Sequence, residues 1–131
     1  MAERPAGTIG AQLLGAALGV RAVHAMFELP LLQFAAKPHE GAAQRLSEGL
    51  ATLCLLAVVL RAPPAKASAL VAATVGAGYW FTASTFFANP AAAFARMLSD
   101  SFASIAPTSV PGFVAAELAA VALIWAWSIR R

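Results

Sequence analysis

The sequence predicts an all-α integral membrane protein with four transmembrane helices and one re-entrant half-helix. Of its 131 residues, 60% are hydrophobic and only 11% are charged, whereas soluble domains carry about 25% charged residues. Apolar runs of helical length recur along the chain, and about 20 apolar residues suffice to cross a bilayer. This composition excludes a disordered chain and argues against a water-soluble enzyme.

The first span is predicted at residues 6–29. Its Gly15–Gly19 step has the GxxxG spacing that lets two helix backbones approach closely. Towards the end of the span, Arg21, His24 and Glu28 follow one another at helical spacing. The sequence therefore predicts a polar face on which Arg21 or a protonated His24 pairs with Glu28.

Two further spans are predicted at residues 46–60 and 68–87, joined by a short turn rich in proline and basic residues. No charged residue occurs between Ala67 and Ala95. One straight helix over that stretch would be too long for the bilayer, because a span reaches about 25 residues at most. The helix must therefore break before the stretch ends.

Asn89-Pro90-Ala91 marks the break. Asparagine favours the N-cap and proline the first helical position, so the tripeptide predicts the start of a half-helix at residues 90–98. Within apolar sequence this start lies at membrane depth, where broken backbone must be buried in protein or line a water-filled cavity. The positive helix end and the Asn89 amide would then face polar solutes and repel cations. The alternative is a turn that joins a span to a surface helix.

The last span is predicted at residues 110–129, and it ends in two tryptophans and two arginines, a typical membrane-interface anchor. The basic residues that fall on one side of the membrane are Arg4, Arg61, Lys66, Arg130 and Arg131, opposed only by Glu3. Positive charge marks the cytoplasmic side, so both termini are expected in the cytoplasm. The net charge is +3, but the basic residues form no continuous stripe along the sequence, which argues against nucleic-acid binding.

Several side chains are candidates for roles near the half-helix. Glu48, with Thr52 one turn later, is an intramembrane carboxylate and is expected to brace the re-entrant segment by accepting its amide hydrogens. Proton binding, cation binding and a place among the headgroups are the alternatives. Tyr79 and Trp80 either narrow a pore or belong to an aromatic belt. Arg96 either lines the pore mouth or extends to the outer interface.

The sequence contains no pattern typical of an enzyme. Neither His24 nor His39 has a cysteine or histidine partner at metal-ligand spacing. Cys54 is the only cysteine, and no Ser-His-Asp motif, P-loop or dinucleotide fingerprint occurs. We therefore expect no catalytic residues, no metal and no cofactor.

Three motifs in order resemble the aquaporin family, or major intrinsic proteins, in its bacterial members. They are an A-Q-L-L-G-A helix in the first span, E-x-x-x-T-x-x-L from Glu48 in the second, and the NPA box after the third. The family fold has six spans and two half-helices, each headed by an NPA box, in two inverted repeats. The resemblance implies an N-terminally truncated partial fold that lacks the first two helices and the first NPA box. It also implies that Glu48 is the loop-bracing carboxylate.

The same resemblance assigns Asn89–Ala91 to the second NPA box. Family members usually place an arginine of the selectivity filter directly after this box, whereas Ala92 stands there in this chain and the nearest arginine is Arg96. The departure implies a wider or less polar filter, so that glycerol is as plausible a solute as water. The aromatic filter position is expected at Tyr79 or Trp80.

The leading functional hypothesis is a passive channel for water or small uncharged solutes in the lipid bilayer. A partial set of helices cannot enclose a pore alone, so we expect a homo-oligomer or a complementing subunit. One alternative is a small proton-coupled multidrug-type exporter that uses Glu48 or Glu117. Another is a non-conducting assembly partner of a channel.

Overall fold

A computed structural model describes residues 5–129 of the protein. Within that range every regular element is helical. The α-helices are α1 (Pro5–Met26), α2 (Ala42–Arg61), α3 (Ala67–Phe81), α4 (Pro90–Met97) and α5 (Val110–Ile129). The terminal residues used above to orient the chain, Glu3, Arg4, Arg130 and Arg131, lie outside the described residues.

Three of the described helices, α1, α2 and α5, are long and apolar enough to cross a membrane. The helix α3 has 15 residues and α4 has 8, both shorter than the about 20 residues of a complete span. The structure therefore agrees with an all-α membrane protein. The short helix α4 begins directly after Asn89, where the sequence predicts a helix start, and the count of four spans with one re-entrant half-helix stays a prediction.

The end of α3 differs from the sequence prediction. The helix ends at Phe81 rather than at Phe87, and Thr82 has extended backbone angles. We call residues 82–89 the connecting segment, since they join α3 to α4. Three of its residues, Thr85, Phe86 and Ala88, have positive φ angles. This path breaks the helix before Asn89 because contacts with distant parts of the chain, described below, hold the segment out of helical conformation.

The helices pack in two groups that α4 connects. The pair α2 and α5 forms the centre, with α3 against α2, and α4 contacts both α5 and α1. Among the described helices α1 touches only α4, and its Gly15–Gly19 face has no side chain or backbone of another element against it. The buried apolar core lies where α4 meets α5 and consists of Phe87, Ala93, Ile105 and Phe113.

The predicted polar pair near the end of α1 does not form, and that prediction is wrong. The helix ends at Met26, and Glu28 follows in a left-handed turn with φ of 55°. His24 is buried instead, with its Nε2 atom 3.0 Å from the Ser99 hydroxyl. The Arg21 guanidinium donates to a carbonyl of its own helix. The three side chains do not share a face because the helix stops before Glu28.

Candidate functional site

The connecting segment is held by a buried carboxylate of α2. Glu48 is completely buried, and its Oε2 atom accepts a hydrogen bond of 3.3 Å from the backbone amide of Phe87. Its Oε1 atom accepts from the amide of Ala88. The carboxylate thus satisfies two successive amides that lie outside any helix, which is the geometry expected for bracing this segment.

A second buried carboxylate holds the next amide. Glu117 of α5 is 2% exposed, and its Oε1 atom accepts a 2.9 Å hydrogen bond from the backbone amide of Asn89. Two carboxyl groups from two helices therefore bind the backbone amides of three consecutive residues. A hydrogen bond contributes about 0.5–1.5 kcal/mol when its acceptor is neutral and about 1.5–3 kcal/mol when its acceptor is ionised, so the three bonds together fix the path of the chain into α4.

Asn89 caps α4 as its sequence predicts. Its backbone is extended, and its side-chain Oδ1 atom accepts a 2.8 Å hydrogen bond from the amide of Ala91. Pro90 occupies the first helical position, where a missing N–H has no cost. The Asn89 side chain is exposed, and no described residue accepts a hydrogen bond from its NH₂ group. This donor therefore stands free beside the positive end of the helix.

The connecting segment adopts backbone conformations that its residue types disfavour. Thr85, Phe86 and Ala88 have φ angles of 62°, 53° and 49°, and a left-handed conformation costs about 1–2 kcal/mol for each such residue. The Phe86 ring folds back over α3 at Gly78, where a Cβ atom would lie 2.1 Å from ring atom Cδ2. The connecting segment can therefore follow this backbone path only because residue 78 is a glycine without a side chain.

Aromatic rings and two cations form a cluster at the far end of α4. The Arg96 guanidinium carbon lies 4.4 Å from the Phe87 ring centroid and 5.6 Å from that of Tyr79. Lys37 Nζ lies 5.3 Å from the Phe102 ring centroid and donates to the Phe102 carbonyl at 3.1 Å. The rings of Tyr79 and Phe102 are 6.0 Å apart. We call these five residues the aromatic–cation cluster.

The other candidates predicted for this region differ in their surroundings. Tyr79 contacts Arg96, whereas Trp80 is 83% exposed and packs edge-on against the Tyr79 ring, with 6.2 Å between the ring centroids. The Thr52 hydroxyl donates to the backbone carbonyl of Glu48 at 2.9 Å. It therefore stays within α2 and makes no bond to the connecting segment.

Several residues of this region escaped the sequence analysis. Lys37 and Phe102 come from two loops distant in sequence, so no local pattern links them to Tyr79 or Arg96. The sequence predicts Glu117 only as a proton-binding residue of the alternative exporter. Its signal was the same as that of Glu48, a lone carboxylate within an apolar helix, which usually faces the bundle interior.

His39, in the loop between α1 and α2, packs behind the connecting segment. Its ring is buried, 5.7 Å from the Phe113 ring centroid and 6.2 Å from that of Phe87. Its backbone amide donates to the Ser109 hydroxyl at 3.1 Å. Burial lowers the pKa of His39 from 6.5, and the charge of Lys37 lowers this pKa further. The imidazole is therefore neutral at neutral pH.

This lowered pKa predicts that acid destabilises the fold. Below about pH 6.5 an exposed His39 in the unfolded chain binds a proton that the folded chain does not, so stability falls as pH decreases through that range. We expect the thermal unfolding midpoint in detergent to fall between about pH 7.5 and about pH 5. His39→Gln removes this titration, so its midpoint should change less. An equal change in both proteins would contradict the prediction.

Comparison with characterised proteins decides the family. The chain is 47% identical over 111 residues to the aquaglyceroporin AqpS of Rhizobium meliloti (strain 1021). The aligned region covers 82% of this chain and 48% of that relative. The chain belongs to the aquaporin, or major intrinsic protein, family. No family model matches the chain, and no solved structure matches it significantly.

Family membership confirms two predictions made from the sequence. It identifies a membrane channel family rather than an enzyme, and it agrees with a multi-pass membrane protein built from apolar helices. This member of the aquaporin family spans about half the length of the curated relative it matches.

Proposed function

We propose that the chain forms part of a passive channel for water or small uncharged solutes such as glycerol, with Asn89–Ala91 at the pore. The observation that carries the proposal is the double bracing of the connecting segment by Glu48 and Glu117. This bracing leaves the Asn89 NH₂ group exposed at the start of α4. The similarity to an aquaglyceroporin supports the same solute class.

The proposed mechanism needs no covalent chemistry and no cofactor. A solute hydroxyl or a water oxygen accepts a hydrogen bond from the Asn89 side chain and replaces a bond to bulk water. The positive end of α4 orients the oxygen towards the helix and raises the energy of a cation at the same place. Discrimination against cations then follows from electrostatics alone.

We propose that the selectivity filter lies near Tyr79, Ala92 and Arg96. Ala92 provides no bulk and no charge directly after the NPA box, so the filter should be wider than one that carries an arginine there. Arg96 is stacked on Phe87 and Tyr79, which holds its charge in a fixed place. We assign it to the pore mouth, where it excludes cations.

The proposed topology is a single membrane domain over residues 1–131 with four spans and one re-entrant half-helix. The 15 residues of α3 extend about 22 Å at 1.5 Å per residue, less than the about 30 Å of a hydrocarbon core. The connecting segment spans the remaining depth of the membrane. The half-helix α4 then leads the chain back to the side of the membrane at which the connecting segment was reached. With both termini in the cytoplasm of a bacterial cell, the chain lies in the inner membrane.

A closed pore requires more helices than the described residues provide. Asn89 is exposed on one side, and α1 packs against α4 alone among the described helices. We propose that a second copy or a complementing subunit covers this side and encloses the pore. The proton-coupled exporter is a weaker candidate, because both oxygens of Glu48 and one oxygen of Glu117 already accept hydrogen bonds from backbone amides. A non-conducting assembly partner remains the alternative.

Osmotic swelling of liposomes tests the channel directly. Vesicles with the purified chain should swell faster in water and glycerol gradients than empty vesicles if copies of the chain complete the pore. If a complementing subunit is needed, swelling should rise only when both chains are reconstituted. Permeability equal to that of empty vesicles in both experiments would exclude conduction and favour the assembly-partner alternative.

Ala92→Arg tests the proposed filter position. The arginine would fill the space after the NPA box and add a charge, so we expect glycerol permeability to fall by about tenfold, a barrier increase of about 1.4 kcal/mol. Water permeability should fall less, because water is smaller. The matched control is Ala65→Arg, an exposed position in the turn between α2 and α3, which should leave both rates unchanged. An unchanged ratio of glycerol to water permeability in Ala92→Arg would contradict this filter position.

A further inference from the structure

The two carboxyl groups that hold the connecting segment lie side by side. Glu48 accepts from the Ala88 amide and Glu117 from the next amide, that of Asn89. Because these two amides are consecutive and both side chains are buried, the two acids lie behind the same stretch of backbone. A pair of acids from two different helices therefore meets at one point of the backbone.

Two negative charges are unfavourable in this place. Like charges in contact repel strongly at the low dielectric of a protein interior, and two carboxylates that share a site retain a proton between them. Arg96 attracts Glu48, whereas His39, whose ring lies 6.2 Å from the Phe87 ring, is neutral for the reason given above. The pair should therefore carry one negative charge and one proton.

The hydrogen bonds indicate which acid is ionised. Both oxygens of Glu48 accept from backbone amides, and a carboxylate that only accepts is ionised. Glu117 uses one oxygen for the Asn89 amide, while its Oε2 atom is buried without a hydrogen-bond partner. A buried, unpartnered oxygen is costly unless it carries a proton that it can donate.

We propose that Glu117 is a second positioning residue of the pore, a neutral acid that accepts from the Asn89 amide and donates its own proton to the Glu48 carboxylate. The role in the pore rests on the proposed function. The arrangement links α2 to α5 directly behind the NPA box. Glu117 thereby fixes the orientation of Asn89, while Glu48 keeps the charge that holds Phe87 and Ala88.

Infrared spectroscopy of the chain in lipid tests the proton assignment without reference to transport. At neutral pH, exposed glutamates are ionised, so the wild-type protein should show one buried carboxylic acid absorption. Glu117→Gln should lose it, and Glu40→Gln, a substitution in the exposed loop, should retain it. Absence of the band from the wild-type protein would overturn the proposal. Its persistence in Glu117→Gln, with loss in Glu48→Gln, would reverse the assignment.

Permeability measurements test the positioning role. Glutamine at position 117 is neutral and keeps an oxygen for the Asn89 amide, so we expect a loss in water permeability of less than about threefold. Glutamine at position 48 puts an NH₂ group against a backbone amide, so Glu48→Gln should lose about tenfold or more. Glu117→Leu, which has no acceptor, should lose more than Glu117→Gln. Equal losses in Glu117→Gln and Glu117→Leu would refute the positioning role. If the wild-type chain does not conduct, the infrared result still decides the proton assignment.

Discussion

Replacement of Glu48 by leucine is expected to cause the largest loss of stability among single substitutions in this region. Leucine keeps much of the side-chain volume but leaves the buried amide of Phe87 and the half-buried amide of Ala88 without an acceptor. Each unpaired buried amide costs about 1–3 kcal/mol, so the free energy of unfolding should fall by about 2–6 kcal/mol. Thermal unfolding in detergent, followed by the loss of helical circular dichroism, measures the effect.

The consequence for transport should be as large. Without the carboxylate, the amides of Phe87 and Ala88 are no longer held, and the strained backbone before Asn89 can relax towards a more favourable conformation. We therefore expect no swelling above that of empty vesicles. The matched control is Glu40→Leu in the exposed loop, which should unfold at the wild-type temperature. A Glu48→Leu protein with the stability of the Glu40→Leu protein would show that the carboxylate does not brace the segment.

Gly78→Ala is expected to destabilise the protein by about 1–3 kcal/mol, the usual cost of overpacking a filled site. The new Cβ atom would lie 2.1 Å from Phe86 Cδ2. The Phe86 ring has little freedom to move, because it is buried and its backbone is left-handed. The connecting segment should therefore shift, which lowers both the unfolding midpoint and any permeability.

The same helix provides a control for this substitution. Gly76 has open space where a Cβ atom would lie, so Gly76→Ala should only gain helix propensity, about 0.5–1 kcal/mol in favour of folding. The two alanine variants are thus predicted to change stability in opposite directions although they differ by two positions. A stabilised Gly78→Ala protein would contradict the contact between Phe86 and α3.

Local chemistry made part of this structure predictable. Asparagine followed by proline has a strong preference for a helix start, and α4 begins at Pro90 with Asn89 as its cap. The position of the last span was predictable in the same way, because its apolar run is long and its end carries aromatic and basic residues. The special position of Glu48 also followed from its type, since a carboxylate within an apolar helix must find hydrogen-bond donors.

The end of α3 was not predictable, because distant residues determine it. The stretch from Tyr79 to Phe87 is apolar enough to continue a helix, and its amino-acid composition does not predict positive φ angles. The path depends on acceptors supplied by Glu48 and Glu117, from helices on either side in sequence. The aromatic–cation cluster escaped prediction for the same reason, as Lys37 and Phe102 meet only in the folded chain.

The restriction of α1 to contacts with α4 also affects the order of assembly during synthesis. Roughly 70 residues separate the end of α1 from the end of α4, and a ribosome that adds about 5–20 residues per second needs roughly 4–14 s to make them. During that interval α1 has no docking site on any other described helix of this chain. Packing against the other described helices therefore cannot assist its insertion, which depends instead on the hydrophobicity of α1 itself. A polar substitution in α1 should consequently reduce membrane integration before it affects the folded protein.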